Sequence, residues 1–182
     1  MQRTSFADMT CSIARTLDIA GEWWSPLILR DVHLGITRFD DLRRDLGISR
    51  KVLAERLERL VEQGVLERRA YSEHPPRHDY LLTEKGRELV AVLLAMVAWG
   101  DRWTAEDAGP PILLRHQACG ELTHAEIRCA RCGEPLRADQ VTVEPGPGGG
   151  SGRGTRVVAE RLAAASGAVS SAESVTAARV SG

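Results

Sequence analysis

Apolar residues between positions 12 and 103 fall mostly three or four apart, the spacing of one helix face, with a single interruption where the spacing drops to two. Ser12 can cap a helix running to about Ala20, with Ile13, Leu17 and Ala20 on one side, and Gly21 breaks it. Pro26 suits the first turn of a second helix from Trp24 to Val32, whose Leu27, Ile28 and Val32 face inward. A third helix begins at Thr37 or Arg38 and stops at Gly47. Ser49 caps a fourth, with a stripe of Leu53, Leu57, Leu60 and Val61 ended by Gly64. The strand-like spacing follows: Val65 to Tyr71 pairs with Asp79 to Leu82, and Ser72 to His78 forms the hairpin tip. Thr83-Glu-Lys-Gly then opens a long helix to about Trp103, with Leu89, Val92, Leu93, Met96, Val97 and Trp99 on a broad apolar face.

A short helix, a Gly-centred turn, a capped longer helix and a basic hairpin, in that order, build a winged helix-turn-helix. The expected class is mainly α (α+β), with the winged helix in residues 1–108. Gly109-Pro-Pro marks a boundary, after which residues 112–144 form a small Cys-rich unit. From Pro145 the composition is that of a linker, so 145–182 reads as a Gly/Pro linker and a disordered tail, with a marginal helix between Thr155 and Ala165. No internal repeat is apparent.

Composition narrows the function classes. Hydrophobic content of 43% is ordinary, but aromatics are only 4%, so Leu, Val and Ala must make the core. The net charge of -1 is no signature of nucleic-acid binding. Between Arg38 and Arg87 there are 12 Lys+Arg against 10 Asp+Glu, so a basic surface must come from arrangement on one face. No apolar run approaches the roughly 20 residues of a membrane span, and no signal peptide opens the chain. A cytoplasmic protein without a membrane partner is expected.

A recognition helix must offer donors at its N-terminal turns while its other face stays anchored in the core. Ser49, Arg50 and Lys51 hold that place, where backbone N–H groups also favour phosphate. Arg50 or Arg56 suits a bidentate pair with guanine, Lys51 suits a phosphate, and Arg59 lies farther along the same helix. Arg43 and Arg44 before it, and Arg77 and His78 in the wing, are placed to grip the flanking backbone of double-stranded DNA.

The run from Cys11 through Ala20-Gly-Glu-Trp, with Leu27-Ile-Leu-Arg-Asp, Arg38-Phe-Asp-Asp-Leu-Arg, Ile48-Ser-Arg-Lys-Val-Leu-Ala-Glu-Arg-Leu and Tyr80-Leu-Leu-Thr-Glu-Lys-Gly, resembles the HxlR family of bacterial transcriptional regulators. The likeness covers about Cys11 to Trp103. It implies a homodimer joined by N- and C-terminal helices at a pseudo-palindromic operator. It also implies a cysteine sensor of oxidants or electrophiles at Cys11, or switching by a small ligand. The chain departs from the family pattern at Glu22-Trp23-Trp24, where a Gly/Lys-Trp-Thr form is usual.

His116-x2-Cys119 and Cys129-x2-Cys132-Gly resemble a compact zinc ribbon, with structural Zn2+ held by three thiolates and an imidazole. His116 is favoured as the fourth ligand by its spacing, and His124 is the alternative. His124-Ala-Glu126 lies too near Cys129 to be half of a deaminase site. Gly146 to Gly154 lacks the Gly-Lys-Ser/Thr ending of a phosphate loop. No enzyme is expected. The alternative is a winged-helix protein-interaction module with a structural zinc ribbon; repressor or activator, operator and inducing signal are not written in the sequence.

Overall fold

The computed structural model describes residues 5–105, 107 and 109–165. Its elements are α1 (Ser12–Ala20), α2 (Trp24–His33), α3 (Phe39–Leu46), α4 (Arg50–Glu62), β1 (Leu66–Glu73), β2 (Pro76–Leu82), α5 (Glu84–Trp103), β3 (Leu114–Arg115) and β4 (Leu122–Thr123). A further helix, α6, occupies 156–165. The described residues form two compact units, one within 19–136 and the other made of 5–18 together with 137–165.

In the larger unit the core is almost entirely aliphatic. Ile28 and Leu29 of α2, Leu42 of α3, Leu53, Leu57 and Leu60 of α4, and Val65 after it are all fully buried. Trp24 packs against this cluster, whereas Trp23 is 89% exposed. The second tryptophan is thus the core residue. Gly47 closes α3 in the left-handed region at φ 65, its N–H bonding the Arg43 carbonyl, and so turns the chain into α4. The Ser49 hydroxyl then accepts from Val52 N–H at 3.2 Å, as its sequence position predicts.

The strands β1 and β2 are antiparallel and run farther than hydropathy suggests. A bulge at Tyr71 lets pairing resume as Ser72 with Arg77 and Glu73 with Pro76, leaving only His74 and the cis Pro75 at the tip. Arg77 and His78 therefore lie on β2, where a seven-residue tip was expected. The wing is moored to α3 as well: Tyr80 N–H bonds the Thr37 carbonyl at 2.9 Å, and Thr37 Oγ1 bonds Asp79 at 2.8 Å.

α1 starts one residue differently from the expectation. Ser12 is already helical, and the Cys11 carbonyl accepts from Arg15 N–H at 3.0 Å, so Cys11 occupies the cap position.

In the smaller unit the 145–155 stretch, which composition reads as linker, is tied down by side chains. Thr10 Oγ1 donates to the Gly150 carbonyl at 3.0 Å and lies 3.0 Å from Thr155 Oγ1, and Thr155 is buried. Asp18, also buried, accepts from Phe6 N–H at 3.0 Å. Composition is blind to such long-range bonds. The tail from 166 on, expected to be disordered, lies outside the described residues.

Thr83 caps α5 by accepting from Gly86 N–H at 3.1 Å while donating to the Gly64 carbonyl at 2.7 Å. This draws the first turn of α5 onto the end of α4. A Cβ on Gly86 would stand 2.2 Å from the Val65 carbonyl oxygen. Gly86→Ala should therefore destabilise the chain by about 1–3 kcal/mol through overpacking, although alanine favours a helix interior by about 1 kcal/mol. Urea melts decide this, and a variant as stable as the parent would show that α5 can retreat from Val65 at no cost.

Candidate nucleic-acid interface

The N-terminus of α4 and the wing enclose a cleft of about 540 Å³, lined by residues that include Arg38, Asp40, Arg50, Tyr71, Arg77 and His78. Three of the basic residues read from the sequence thus converge: Arg50 from α4, and Arg77 and His78 from β2. Arg38 and Tyr71 join them, and sequence reasoning missed both. Arg38 stacks over the Tyr71 ring at 4.8 Å and lies 3.9 Å from Asp79, and Tyr71 sits at the bulge of β1. No sequence signal marks them: the short bridge that pairs Arg38 with Asp79 joins residues far apart in the chain, which hydropathy does not carry. Tyr80 closes the floor, and burial pushes its phenol up from the ordinary range.

Arg44 lies in the neighbouring hollow beside α3, paired with Asp41 at 2.7 Å. Arg43 and Lys51 are exposed, Lys51 standing 4.0 Å from Glu55 one turn on. Arg50 is held by Asp40 at 3.0 Å and lies over Phe39 at 5.1 Å. The exposed cations of this face are thus mostly supplied with a carboxylate from their own chain. Such exposed pairs contribute little to stability and exchange readily for another anion.

Arg56 is placed elsewhere. It points to Glu22 at 3.1 Å, with both side chains largely covered, 22% and 28% exposed. Arg59, one turn on, is half-buried on the same flank of α4. The geometry gives Arg56 the work of tying α4 to the loop before α2. Glu22 is the first residue of the Glu22-Trp23-Trp24 stretch at which the chain departs from the pattern it resembles. An acid there meets the arginine.

α5 carries a separate feature. Val92, Met96, Trp99 and Trp103 recur on one face and are half to two-thirds exposed. In the smaller unit, Cys11 is half-buried at the start of α1, and Arg15 Nε donates to the Met9 carbonyl at 2.9 Å. Among the described residues no helix is long and apolar enough to cross a membrane.

The cysteine segment is two hairpins in succession. The first pairs Leu114 with Thr123 and Arg115 with Leu122; the second bridges Arg128 to Pro135, with Leu136 N–H bonding the Ile127 carbonyl at 2.8 Å. His116 and Cys119 sit at one tip, Cys129 and Cys132 at the other. Backbone N–H groups of Cys132 and Arg131, then the Cys132 thiol, hold the Cys129 thiol below the usual cysteine range. Three thiols and an imidazole suit a tetrahedral ion chemically. They stand as two pairs, however, and among the described residues no three His, Cys, Asp or Glu side chains are grouped to share a metal. His124 instead lies 3.7 Å from Glu126.

Comparison with known proteins agrees with this shape. Residues 19–108 match the family model described as HxlR-like helix-turn-helix. The HTH-type transcriptional regulator Rv3095 of Mycobacterium tuberculosis, itself uncharacterised, is 47% identical over 137 residues, which are 75% of this chain and 87% of that one. That span is longer than residues 1–108, so the likeness runs on past the helix-turn-helix. The solved structure of the candidate transcription factor PA1607 is similar with a TM-score of 0.69 at 34% identity, covering 78% of this chain and 99% of that one. PA1374 of Pseudomonas aeruginosa, another candidate transcription factor, gives 0.54 at 40% identity, covering 77% and 95%.

If Arg56 and Glu22 hold the back of α4, their substitutions should not be additive. A cycle of Arg56→Ala, Glu22→Ala and the double variant, followed by urea melts, should return a coupling of about 1–2 kcal/mol, between exposed and buried pairs. A coupling near zero would mean that the pair is incidental.

Proposed function

The chain belongs to the HxlR-like helix-turn-helix family and is a transcriptional regulator of HTH type, and from that premise we propose that it binds a pseudo-palindromic operator as a homodimer. The observation that carries this reading is the convergence of Arg50, Arg77 and His78 on one cleft between α4 and the wing. With the N-terminal turn of α4 in a major groove, Arg50 would exchange Asp40 for a guanine edge or a phosphate. Lys51 and Arg43, both exposed, would meet the backbone on either side, and Arg77 and His78 would follow it along the wing. Arg44 joins them once it releases Asp41. Ser49 has its hydroxyl engaged as a cap and contributes by orienting the helix.

Homodimerisation is supported by the exposed face of α5. Four large apolar side chains in register on one helix are more than scattered exposure, and a second copy of the same face is the self-complementary way to cover them. Two α4 helices so joined would read two half-sites. Regulation then follows by occluding a promoter or recruiting transcription machinery to it.

Cys11 is the candidate switch, alongside a small ligand near the dimer interface. Its thiolate would reduce a hydroperoxide to the alcohol or water and become a sulfenic acid, at the cap position of α1. Modification there would disturb α1 and loosen DNA binding.

Selection of fragmented genomic DNA by the reduced, purified chain at physiological salt, with titration of the enriched fragments, tests the reading. An inverted repeat near promoters is expected, with affinity falling as salt rises. Arg50→Ala should weaken the operator complex about tenfold or more, as loss of one bidentate contact does. Failure to enrich any sequence would sink the operator reading. Peroxide should weaken the complex of the parent chain and leave that of Cys11→Ser unchanged; an equal loss in both would exclude Cys11 as the switch.

A further inference from the structure

The two hairpins between 114 and 136 are the same structure built twice. Leu114-Arg-His-x2-Cys-Gly-Glu and Ile127-Arg-Cys-x2-Cys-Gly-Glu stand 13 positions apart, and the backbone bonds that close the first turn recur in the second at that offset. His116 N–H bonds the Glu121 carbonyl at 2.9 Å, and Cys129 N–H bonds that of Glu134 at 2.8 Å. Gly120 N–H returns to His116 at 2.8 Å, and Gly133 N–H to Cys129 at 2.9 Å. The glycines take φ 75 and φ 77, a left-handed turn that a side chain would strain. Even the arginines repeat: Arg115 Nη1 donates to the Gly120 carbonyl and Arg128 Nη1 to that of Gly133.

Each turn presents its first and fourth residues as a two-pronged claw. In the first, His116 Nδ1 stands 3.4 Å from Cys119 Sγ; in the second, Arg131 N–H points at Cys129 Sγ at 3.5 Å, leaving Cys132 as the other prong. Such a turn is more than a hairpin needs. Among the described residues nothing apolar holds the pair together either. No residue from 111 to 150 is buried, and Leu113, Leu122 and Ile127 are all more than half exposed. A segment with an ordered backbone and no core calls for another source of stability.

We propose that the repeated claws close on one divalent zinc ion per chain, held tetrahedrally by His116, Cys119, Cys129 and Cys132. Four N and S donors in two pairs match the preference of zinc for a closed structural site. The two claws stand as separate pairs, and binding would draw them together across the short 123–126 connection between the hairpins. His124 takes no part, since it lies outside both turns and beside Glu126. The ion supplies folding free energy to 112–136 in place of a core.

The test uses the full chain, purified reduced without chelator. Zinc released by a mercurial reagent should amount to about one ion per chain, as one four-ligand site requires. Cobalt(II) added to the stripped chain should give the visible bands of a tetrahedral thiolate site, with the same stoichiometry. Cys119→Ser and Cys132→Ser should each lose retained zinc, one from each claw, and His116→Ala should lose it while His124→Ala keeps it. Circular dichroism below and above the α5 melt separates loss of metal from loss of the whole fold, since 19–103 has its own core. Absence of both zinc and cobalt bands in the reduced chain overturns the proposal. So does one ion per two chains, which would place the claws of different copies on a shared metal, or retention by His116→Ala with loss by His124→Ala.

Discussion

The direction in which α4 faces depends on one contact, the seating of Leu53, Leu57 and Leu60 on Ile28, Leu29 and Leu42. With the aliphatic side fixed, the 100° step of a helix decides the rest. Arg50 and Lys51 emerge at the free end. Arg56 and Arg59 come out on a flank against the rest of the domain, and Glu55, Glu58 and Glu62 run along the outer side. Every property assigned to the face, including which arginine is exposed, follows from where the leucines lie. The Thr37–Tyr80 bond fixes the remaining variable by holding the wing against the start of α3, so that β2 flanks the same end of α4.

Legibility in the sequence follows from the range of the cause. Elements set by local periodicity and caps were readable: Ser49, Gly47 and Thr83 mark boundaries that the structure keeps to within a residue or two. The wing was readable as a hairpin but not in its register, because a bulge at Tyr71 shifts the pairing and no residue type announces it. The candidate site was readable in its arginines but not in their directions. Arg50 and Arg56 look equivalent on a list of basic residues; only the acid at Glu22, 34 positions earlier in the chain, separates them.

The missed repeat teaches a different lesson. Only Arg, Cys, Gly and Glu recur between the two hairpins, and the first claw carries His where the second carries Cys. Compared by identity the copies are faint. Compared by what each position does in the backbone they coincide, since the glycine, the arginine and the two prongs all keep their places. A repeat this short shows itself through hydrogen bonds before it does through letters.

The charge arrangement at the cleft bears on how a regulator built this way would hold DNA. Arg38, Arg44, Arg50 and Lys51 each have a carboxylate of their own chain within 4.0 Å. Because these pairs are exposed, giving up one anion to take another costs each arginine little and gains it little beyond what the pair already supplied. The -1 net charge adds no long-range attraction. A single domain of this kind has a weak electrostatic hold, and most of its discrimination must come from short-range fit of Arg50 and its neighbours to the groove. Coupling two such domains raises the effective concentration of the second by orders of magnitude once the first is seated, without a new contact. If the apolar face of α5 joins two copies as proposed, the partly self-paired cations of this surface and that face would act together, the second copy adding the hold that one domain lacks.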